Sequence, residues 1–354
     1  MNGYSPFLKF KNGELTALFN LSPNDIDIIT PLLEIPRDDS YTNISLITRI
    51  DNCAKKMKKK MLPSFSFYID NLEVPDSIKI FGDDNYNYLL NSFRNFDIIP
   101  VVGFDRVETH NNIGISFANN KSKKIAIRIT QDYFENFLAY KNDLDIILEN
   151  LNLNVLKIII LDCNYIEDDK MMEKCKNGII RIIEYINKKN IFSKIIISGS
   201  SIPSPISDKV KTGTYVILKR NEIQLYKELT SLLKKSKFTF GDYTVVSPGY
   251  AEINIEKKAM LNVITPKIIY SILELHYVIR GYKIKTHKLS QYFTQAETII
   301  KERFFRGKDN SWGDKFLFEK ATYKGTNIVP SSIIGPTVNA HIKFMIEEIK
   351  KGSI

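Results

Sequence analysis

Four carboxylates stand where short apolar runs of the sequence end, and this arrangement could gather them around one metal ion. They are Glu34, Asp70, Asp162 and Asp242. Carboxylate oxygens are the ligands that Mg²⁺ prefers, and a bound Mg²⁺ can polarise a phosphoryl oxygen or activate a water molecule. The four are therefore the candidate catalytic and metal-binding residues, with Mg²⁺ as the candidate cofactor. We expect Asp242 to point into the same pocket as the other three.

Basic and hydroxyl side chains accompany these carboxylates and are candidate ligands of a phosphate group. Lys9 and Lys11 alternate along the first apolar run, so we expect both on one face of a strand. Arg128 lies between isoleucines in a later run. Ser198 and Ser200 flank a glycine, where hydroxyl and backbone donors suit a phosphate.

Three interpretations of these charges stay open. The carboxylates could hold a cation while the basic residues hold a phosphate, or the whole set could form a recognition pocket without turnover. Alternatively, the charges could face water or pair with one another inside the fold. Arg128 illustrates the last case, because a buried cation needs an acidic partner, and Asp162 and Asp70 are the candidates.

Eight apolar runs must position these residues, and each predicts a β-strand followed by a helix or a long loop. The predicted strands span residues 4–11, 28–35, 65–70, 97–104, 123–130, 156–161, 194–198 and 238–242. This alternation predicts an α/β fold, a (β/α)8 TIM-like barrel with its site at the carboxyl ends of the strands. A doubly wound open sheet is the alternative, but no GxGxxG turn follows the first strand.

Beyond the last predicted strand the alternation stops, and the sequence predicts a helix-rich region. We expect the barrel to span residues 1–249 and a C-terminal extension packed on it to span residues 250–354. Helices are predicted at 265–280, 289–305 and 339–351, and a polar loop at 306–315.

Four residues after the last strand are candidate partner-contacting residues: Tyr243, Trp312, Asp314 and His341. Trp312 is the single tryptophan, and small polar residues flank it in the predicted loop. Such a tryptophan can anchor a protein partner. Packing of the loop against the core is the competing interpretation.

Composition narrows the class of protein. The 354 residues are 44% hydrophobic and carry a formal net charge of +10. That charge favours acidic partners such as nucleic acid or a nucleotide, with a lysine-rich surface facing water as the alternative. Three cysteines without a CxxC pair and four histidines without metal-ligand spacing disfavour a disulfide framework and a zinc site. Because no signal-like leader and no run of eighteen apolar residues occurs, we expect a cytoplasmic protein without membrane association.

Six short motifs, taken in order, resemble the Beta protein family of phages and phage satellites. They are Tyr4-x-Pro6-x-Leu8-Lys9-x-Lys11-x-Gly13-Glu14, Leu33-Glu34-Ile35, Gly241-Asp242-Tyr243, Arg280-Gly281, Ser311-Trp312-Gly313-Asp314 and the pair Asn339 and His341. The resemblance spans nearly the whole chain and implies a barrel-like α/β body. It also implies association with mobile elements and anti-phage defence loci, beside a partner that can be toxic. It transfers no catalytic residue.

Two functional hypotheses follow. The first is a phage- or prophage-encoded anti-phage defence component that binds a partner, either a toxic effector as in toxin–antitoxin pairs or a phage product. Its barrel mouth and C-terminal region would make the contact, and the partner would be encoded nearby. The second is a metal-dependent phosphodiesterase or nucleotide hydrolase acting at the C-terminal rim of the barrel. The oligomeric state stays open.

Overall fold

Parallel strands form a closed barrel at the centre of the computed structural model, which describes residues 3–249, 264–323 and 325–354. The described strands, both in the barrel and outside it, are β1 (Tyr4–Lys9), β2 (Leu32–Glu34), β3 (Ser66–Asp70), β4 (Lys79–Ile80), β5 (Asp83–Asp84), β6 (Asp97–Gly103), β7 (Lys124–Thr130), β8 (Leu156–Tyr165), β9 (Phe192–Ser200), β10 (Thr214–Lys219), β11 (Phe238–Asp242), β12 (Lys267–Ile272) and β13 (Leu275–Arg280). The order around the barrel is β1-β11-β9-β8-β7-β6-β3-β2. The predicted (β/α)8 TIM-like barrel is confirmed.

Helices separate the barrel strands and continue after them. Between the barrel strands lie α1 (Asn12–Phe19), α2 (Pro23–Ile26), α3 (Asn43–Lys60), α4 (Asn85–Ser92), α5 (Glu108–Phe117), α6 (Phe137–Glu149), α7 (Asp169–Lys189) and α8 (Asn221–Leu232). After β13 come α9 (Ile284–His287), α10 (Gln291–Lys301), α11 (Trp312–Thr322) and α12 (Pro330–Lys351). Within the described ranges, no helix is both long and apolar enough to cross a membrane.

Inward-pointing side chains fill the inside of the barrel. Each strand points every second residue inward. On β7, for example, Ala126 joins the apolar cluster inside the barrel, while Ile127 packs into the larger cluster beneath the helices. The inner cluster consists of Phe7, Leu32, Tyr68, Ile99, Val101, Ala126, Ile158, Ile160, Ile196 and Tyr243. Because helices cover the outer face, β8 is apolar on both faces from Ile158 to Leu161, as parallel strands usually are.

Predicted and observed strand bounds agree for some strands and differ for others. The bounds of β11 match the prediction, whereas β2 begins only at Leu32. Pro31 precedes β2 and has no backbone N–H to donate to a neighbouring strand. The residues before it make only an isolated bridge, between Tyr4 and Ile29.

The helix predicted at 265–280 is wrong, because this stretch forms the antiparallel hairpin of β12 and β13. Its third strand is β10, which was missed in the sequence, and the sheet order is β10-β13-β12. Both faces of the hairpin are buried. Ile268 and Tyr270 pack against the C-terminal helices, and Ile269 and Val278 belong to the main core. An alternating polar face, the usual signal of a strand, is therefore missing.

Close packing of α1 against α12 joins the C-terminal region to the barrel. Two glycines allow the approach: a Cβ at Gly13 would lie 3.0 Å from Ile334 Cβ, and one at Gly335 would lie 3.0 Å from the Gly13 carbonyl oxygen. The polar loop predicted at 306–315 is shorter than expected, because a helix begins within it. Trp312 is the first residue of α11, because the Ser311 hydroxyl caps that helix.

Candidate functional site

Arg128 lies at the centre of the barrel mouth and contacts three carboxylates. Its Nη1 is 3.1 Å from Glu34 Oε1 and 2.7 Å from Asp70 Oδ2. Its Nη2 is 2.6 Å from Asp162 Oδ2 and 2.9 Å from the Tyr243 hydroxyl oxygen. Tyr243 in turn donates its hydroxyl to Asp162 at 2.6 Å. All five side chains are buried.

Two further cations complete this network. The Lys9 ammonium lies 2.5 Å from Glu34 Oε2, and Arg106 Nη2 lies 2.8 Å from both oxygens of Asp70. Arg106 also contacts Asp105 at 2.6 Å. We call the set of Lys9, Glu34, Asp70, Arg106, Arg128, Asp162 and Tyr243 the mouth cluster. Its three cations balance its three carboxylates.

Strand register brings these residues together. Lys9 of β1 pairs with Glu34 of β2, and Glu34 pairs with Asp70 of β3, so the three lie at one level of the barrel. Arg128 and Asp162 each follow an inward apolar residue by two positions and therefore also point inward. The site thus lies at the carboxyl ends of the strands, where (β/α)8 enzymes carry their chemistry.

Ion pairing keeps Glu34 and Asp70 of the mouth cluster ionised. Burial alone would raise the pKa of Asp70, but Arg106 and Arg128 outweigh it and lower that pKa to about 2. Burial opposes ionisation of Glu34 as well, yet Lys9 and Arg128 lower its pKa. These carboxylates therefore hold no proton at neutral pH and are poorly suited to general acid or base catalysis, which needs a pKa near the working pH.

A metal ion does not fit this arrangement. The guanidinium of Arg128 occupies the space between Glu34, Asp70 and Asp162 where a cation would bind. Among the residues that the structure describes, no three His, Cys, Asp or Glu side chains are placed to hold a metal ion. The candidate Mg²⁺ ligands instead form ion pairs with this chain's own cations.

Asp242 lies outside the mouth, so the expectation that it points inward is wrong. Its neighbour Tyr243 joins the inner cluster, and alternation turns Asp242 to the outer face of the barrel. There it accepts hydrogen bonds from the Tyr4 hydroxyl at 2.5 Å and from Arg220 Nη2 at 2.8 Å. His341 Nε2 lies 2.9 Å away.

A buried chain of hydrogen bonds leads on from Asp242. His341 Nδ1 is 2.6 Å from the Ser271 hydroxyl oxygen, which is 3.1 Å from His276 Nδ1. Burial lowers the pKa of both histidines, so they are neutral. Asp242, His341 and Ser271 occur in the order of a serine-hydrolase relay. However, Ser271 is only 1% exposed, so in this structure the relay joins β11, β12, β13 and α12 rather than facing a substrate.

Comparison of the sequence with models of known protein families covers nearly the whole chain. A model of the family described as Beta protein matches residues 4–347. The chain belongs to the Beta protein family. This membership indicates a phage-associated protein. No curated protein matches the sequence.

In this Beta protein family member, motif residues cap α11 and pack it against α12. The Ser311 hydroxyl accepts a hydrogen bond from Asp314 N at 2.9 Å, which starts α11. Gly313 N donates to the Asn339 side chain at 3.0 Å. A Cβ at Gly313 would lie 1.9 Å from the Pro336 carbonyl oxygen, so glycine is needed for this contact.

The predicted phosphate ligands divide into separate environments. Lys9 belongs to the mouth cluster, but β1 ends there, and Lys11 precedes α1 instead of sharing a strand face with Lys9. The Ser198 hydroxyl is buried and has no hydrogen-bond partner among the described residues, and Ser198 lies in register with Asp162. The Ser200 hydroxyl accepts a hydrogen bond from Ile202 N at 3.1 Å, which closes a turn.

Of the predicted partner-contacting residues, only Trp312 is partly exposed. Tyr243, Asp314 and His341 are buried, and their hydrogen bonds are to residues of this chain. Their proposed role in partner binding stays a prediction, and it would require the partner to act on them through the surface above. Trp312 lines a cavity of about 380 Å³ between the loop before α2, α11 and α12.

Three charged residues at the site were not predicted. Arg106 binds Asp70, and its position directly after a strand-end aspartate was the available signal. Arg220 is fully buried between Asp242 and Glu222. The only sequence signal for its pairing was Glu222, which follows it by two residues. Glu14 accepts a hydrogen bond from Lys9 N, and no sequence pattern marks it as buried.

Proposed function

We propose that this Beta protein family member is an anti-phage defence component that acts by recognising a protein partner, either a toxic effector or a phage product. The barrel mouth and the C-terminal region would form the contact surface. One observation carries the proposal: every carboxylate of the mouth cluster is already paired with a cation of the same chain. Such a mouth favours recognition over turnover.

The charge balance of the mouth cluster supports binding in physical terms. A hydrolase needs a side chain that exchanges protons near neutral pH or a carboxylate that is free to bind a metal. Asp70 and Glu34 have lowered pKa values, and Arg128 fills the space between them. Burial raises the pKa of the neighbouring Glu14 to about 7, but its side chain is only 2% exposed and accepts a hydrogen bond from Lys9 N. Several hydrogen bonds fix these buried groups in one geometry, and the buried mouth cluster would in this way hold the strand ends around it rigid, which lowers the conformational entropy lost on binding.

The cavity beside Trp312 supports a protein as the ligand. Tryptophan is among the residues enriched at binding hot spots. Lys308, Lys315 and Lys343 line the same cavity together with Asp25 and Asp309. Lys343 is paired with Asp25 at 3.0 Å, and the lining keeps an excess of one positive charge. An acidic segment of a partner would complement these lysines and place an apolar side chain against Trp312.

Co-purification with the products of neighbouring genes tests the proposal. The tagged chain should retain one such product, and its expression together with that gene should change phage plating. Trp312→Ala is expected to weaken capture at least about tenfold, as loss of a hot-spot aromatic does. Tyr323→Ala is the matched control, because Tyr323 is an exposed aromatic in the same region that does not line the cavity.

Two results would contradict the proposal. The first is that no neighbouring product is retained and plating is unchanged. The second is that Trp312→Ala and Tyr323→Ala retain the partner equally well, which would remove the cavity from the contact surface. Circular dichroism of both variants would show that each is folded.

A further inference from the structure

The opposite end of the barrel, where the strands begin, holds a second cavity, which we call the N-terminal cavity. Its volume is about 580 Å³, and small-molecule sites in proteins measure roughly 300–1,000 Å³. Inward-facing residues near the start of several strands line it. The main ones are Ser66, Tyr68, Ile99, Lys124, Ile158 and Lys194. None of them belongs to the mouth cluster.

Lys194 makes the N-terminal cavity a candidate site for an anion. It lies on β9 in register with Ile158 of β8 and two positions before the inward-facing Ile196. It is partly buried, and among the described residues it has no carboxylate partner. Burial lowers the pKa of Lys194, because desolvation disfavours the charged form. A bound anion would supply the missing counter-charge.

Tyr68 adds a second unpaired polar group to the same cavity. Its side chain is 1% exposed and lines the cavity, and its hydroxyl has no hydrogen-bond partner in the described part of the chain. Burial raises the pKa of Tyr68, so the hydroxyl keeps its proton and can donate it to an acceptor. Ser66 and Thr239 supply further hydroxyl groups nearby.

The balance of charges around the cavity also favours an anion. Three lysines line it, Lys124, Lys194 and Lys237, against one carboxylate, Asp27. Asp97, which does not line the cavity, neutralises Lys124 at 2.6 Å. Among the described residues, Lys194 and Lys237 form no ion pair, and together they exceed the charge of Asp27 by one.

We propose that the N-terminal cavity binds a small organic phosphate, with Lys194 and the Tyr68 hydroxyl on the phosphate oxygens and Ile99 and Ile158 against the apolar part of the molecule. A phosphate offers several acceptor oxygens to separate donors, and lysine binds it as a point charge. The site does not depend on partner recognition, because it lies at the other end of the barrel from the mouth cluster.

Isothermal titration with adenosine monophosphate, inorganic phosphate and adenosine tests the proposal on the full chain. We expect saturable binding of the nucleotide, weaker binding of inorganic phosphate and none of adenosine. Lys194→Gln should weaken nucleotide binding at least about tenfold, the usual effect of losing one charge-assisted hydrogen bond. Tyr68→Phe should weaken it severalfold. Lys188→Gln is the matched control, because Lys188 is an exposed lysine of α7 away from the cavity.

Folding does not confound this test. Lys194→Gln removes a partly buried charge that has no carboxylate partner in the described ranges, and it should leave the melting temperature unchanged or higher. The proposal is overturned if no probe binds saturably. It is also overturned if adenosine binds as well as the nucleotide, or if Lys194→Gln and Lys188→Gln bind the nucleotide equally. Phosphate bound through the net charge alone would give the last result.

Discussion

Replacing Arg128 by methionine removes the cation that three buried carboxylates share, and we expect a large loss of stability. Methionine has an unbranched side chain but provides no donor for Glu34, Asp70 or Asp162. Removing one partner of a buried ion pair costs about 3–5 kcal/mol. Since a domain is stable by only about 5–15 kcal/mol, the loss is at least about a fifth of the total.

The loss should depend on pH with a definite sign. In the native protein Arg106 and Arg128 hold the pKa of Asp70 at about 2, below its ordinary 3.8. Its contribution to stability is therefore present above pH 3.8 and is lost as the pH falls through 2. Without Arg128, one of the cations that oppose burial is lost, so the pKa values of Glu34 and Asp70 should rise. The variant should then approach the native stability as the pH falls from 7 towards 4.

Urea unfolding followed by circular dichroism at several pH values measures both effects. Lys124→Met is the control, since Lys124 points inward on the same strand but forms a partly exposed pair with Asp97. We expect that control to cost no more than about 1 kcal/mol. If Arg128→Met costs no more than the control, or if its loss does not change with pH, the mouth cluster does not stabilise the barrel as described.

Two further changes test other buried charges. Burial raises the pKa of Glu14 from 4.5 to about 7, so its contribution is full below pH 4.5 and is lost as the pH rises through 7. Glu14→Gln should therefore increase the unfolding free energy by about 3 kcal/mol near pH 9, measured by urea unfolding, with no gain below pH 4.5. Asp242→Asn leaves Arg220 without one of its two carboxylates and should cost about 3–5 kcal/mol and speed hydrogen exchange in β12 and β13. Asp169→Asn, at an exposed ion pair, should leave both readouts unchanged, and an equal effect of the two would contradict this account.

The barrel could be predicted from the sequence because its signal is repeated. Each apolar run of β-branched residues, such as Ile158–Ile160 in β8, is bounded by polar turns, and parallel strands covered on both faces give long apolar runs. The hairpin of β12 and β13 gives the same kind of run without neighbouring βα repeats. Nothing local separates it from a buried helix, so its pairing with β10 could not be foreseen.

The mouth cluster was largely predictable, but its chemistry was not. Strand ends supplied Lys9, Glu34, Asp70, Arg128 and Asp162, and the interpretation that Arg128 pairs with Asp70 or Asp162 agrees with the geometry. Whether the carboxylates surround a metal ion or a guanidinium group depends on distances across the barrel. These distances cannot be read from the spacing of residues in the sequence. For Asp242, a shift of one residue along the strand reverses the face of the sheet on which the side chain lies.

The pairing of β10 with β13 has a practical consequence for work on separate parts of the protein. β10 lies between two barrel strands in the sequence, yet its hydrogen-bonded neighbour comes after residue 264. A chain shortened after residue 249 would keep one outer strand of this sheet and lose the other two. The shortened chain would also lose the His341 contact to Asp242. Activity lost by truncation therefore cannot be assigned to the removed residues alone, and point substitutions are the better tool.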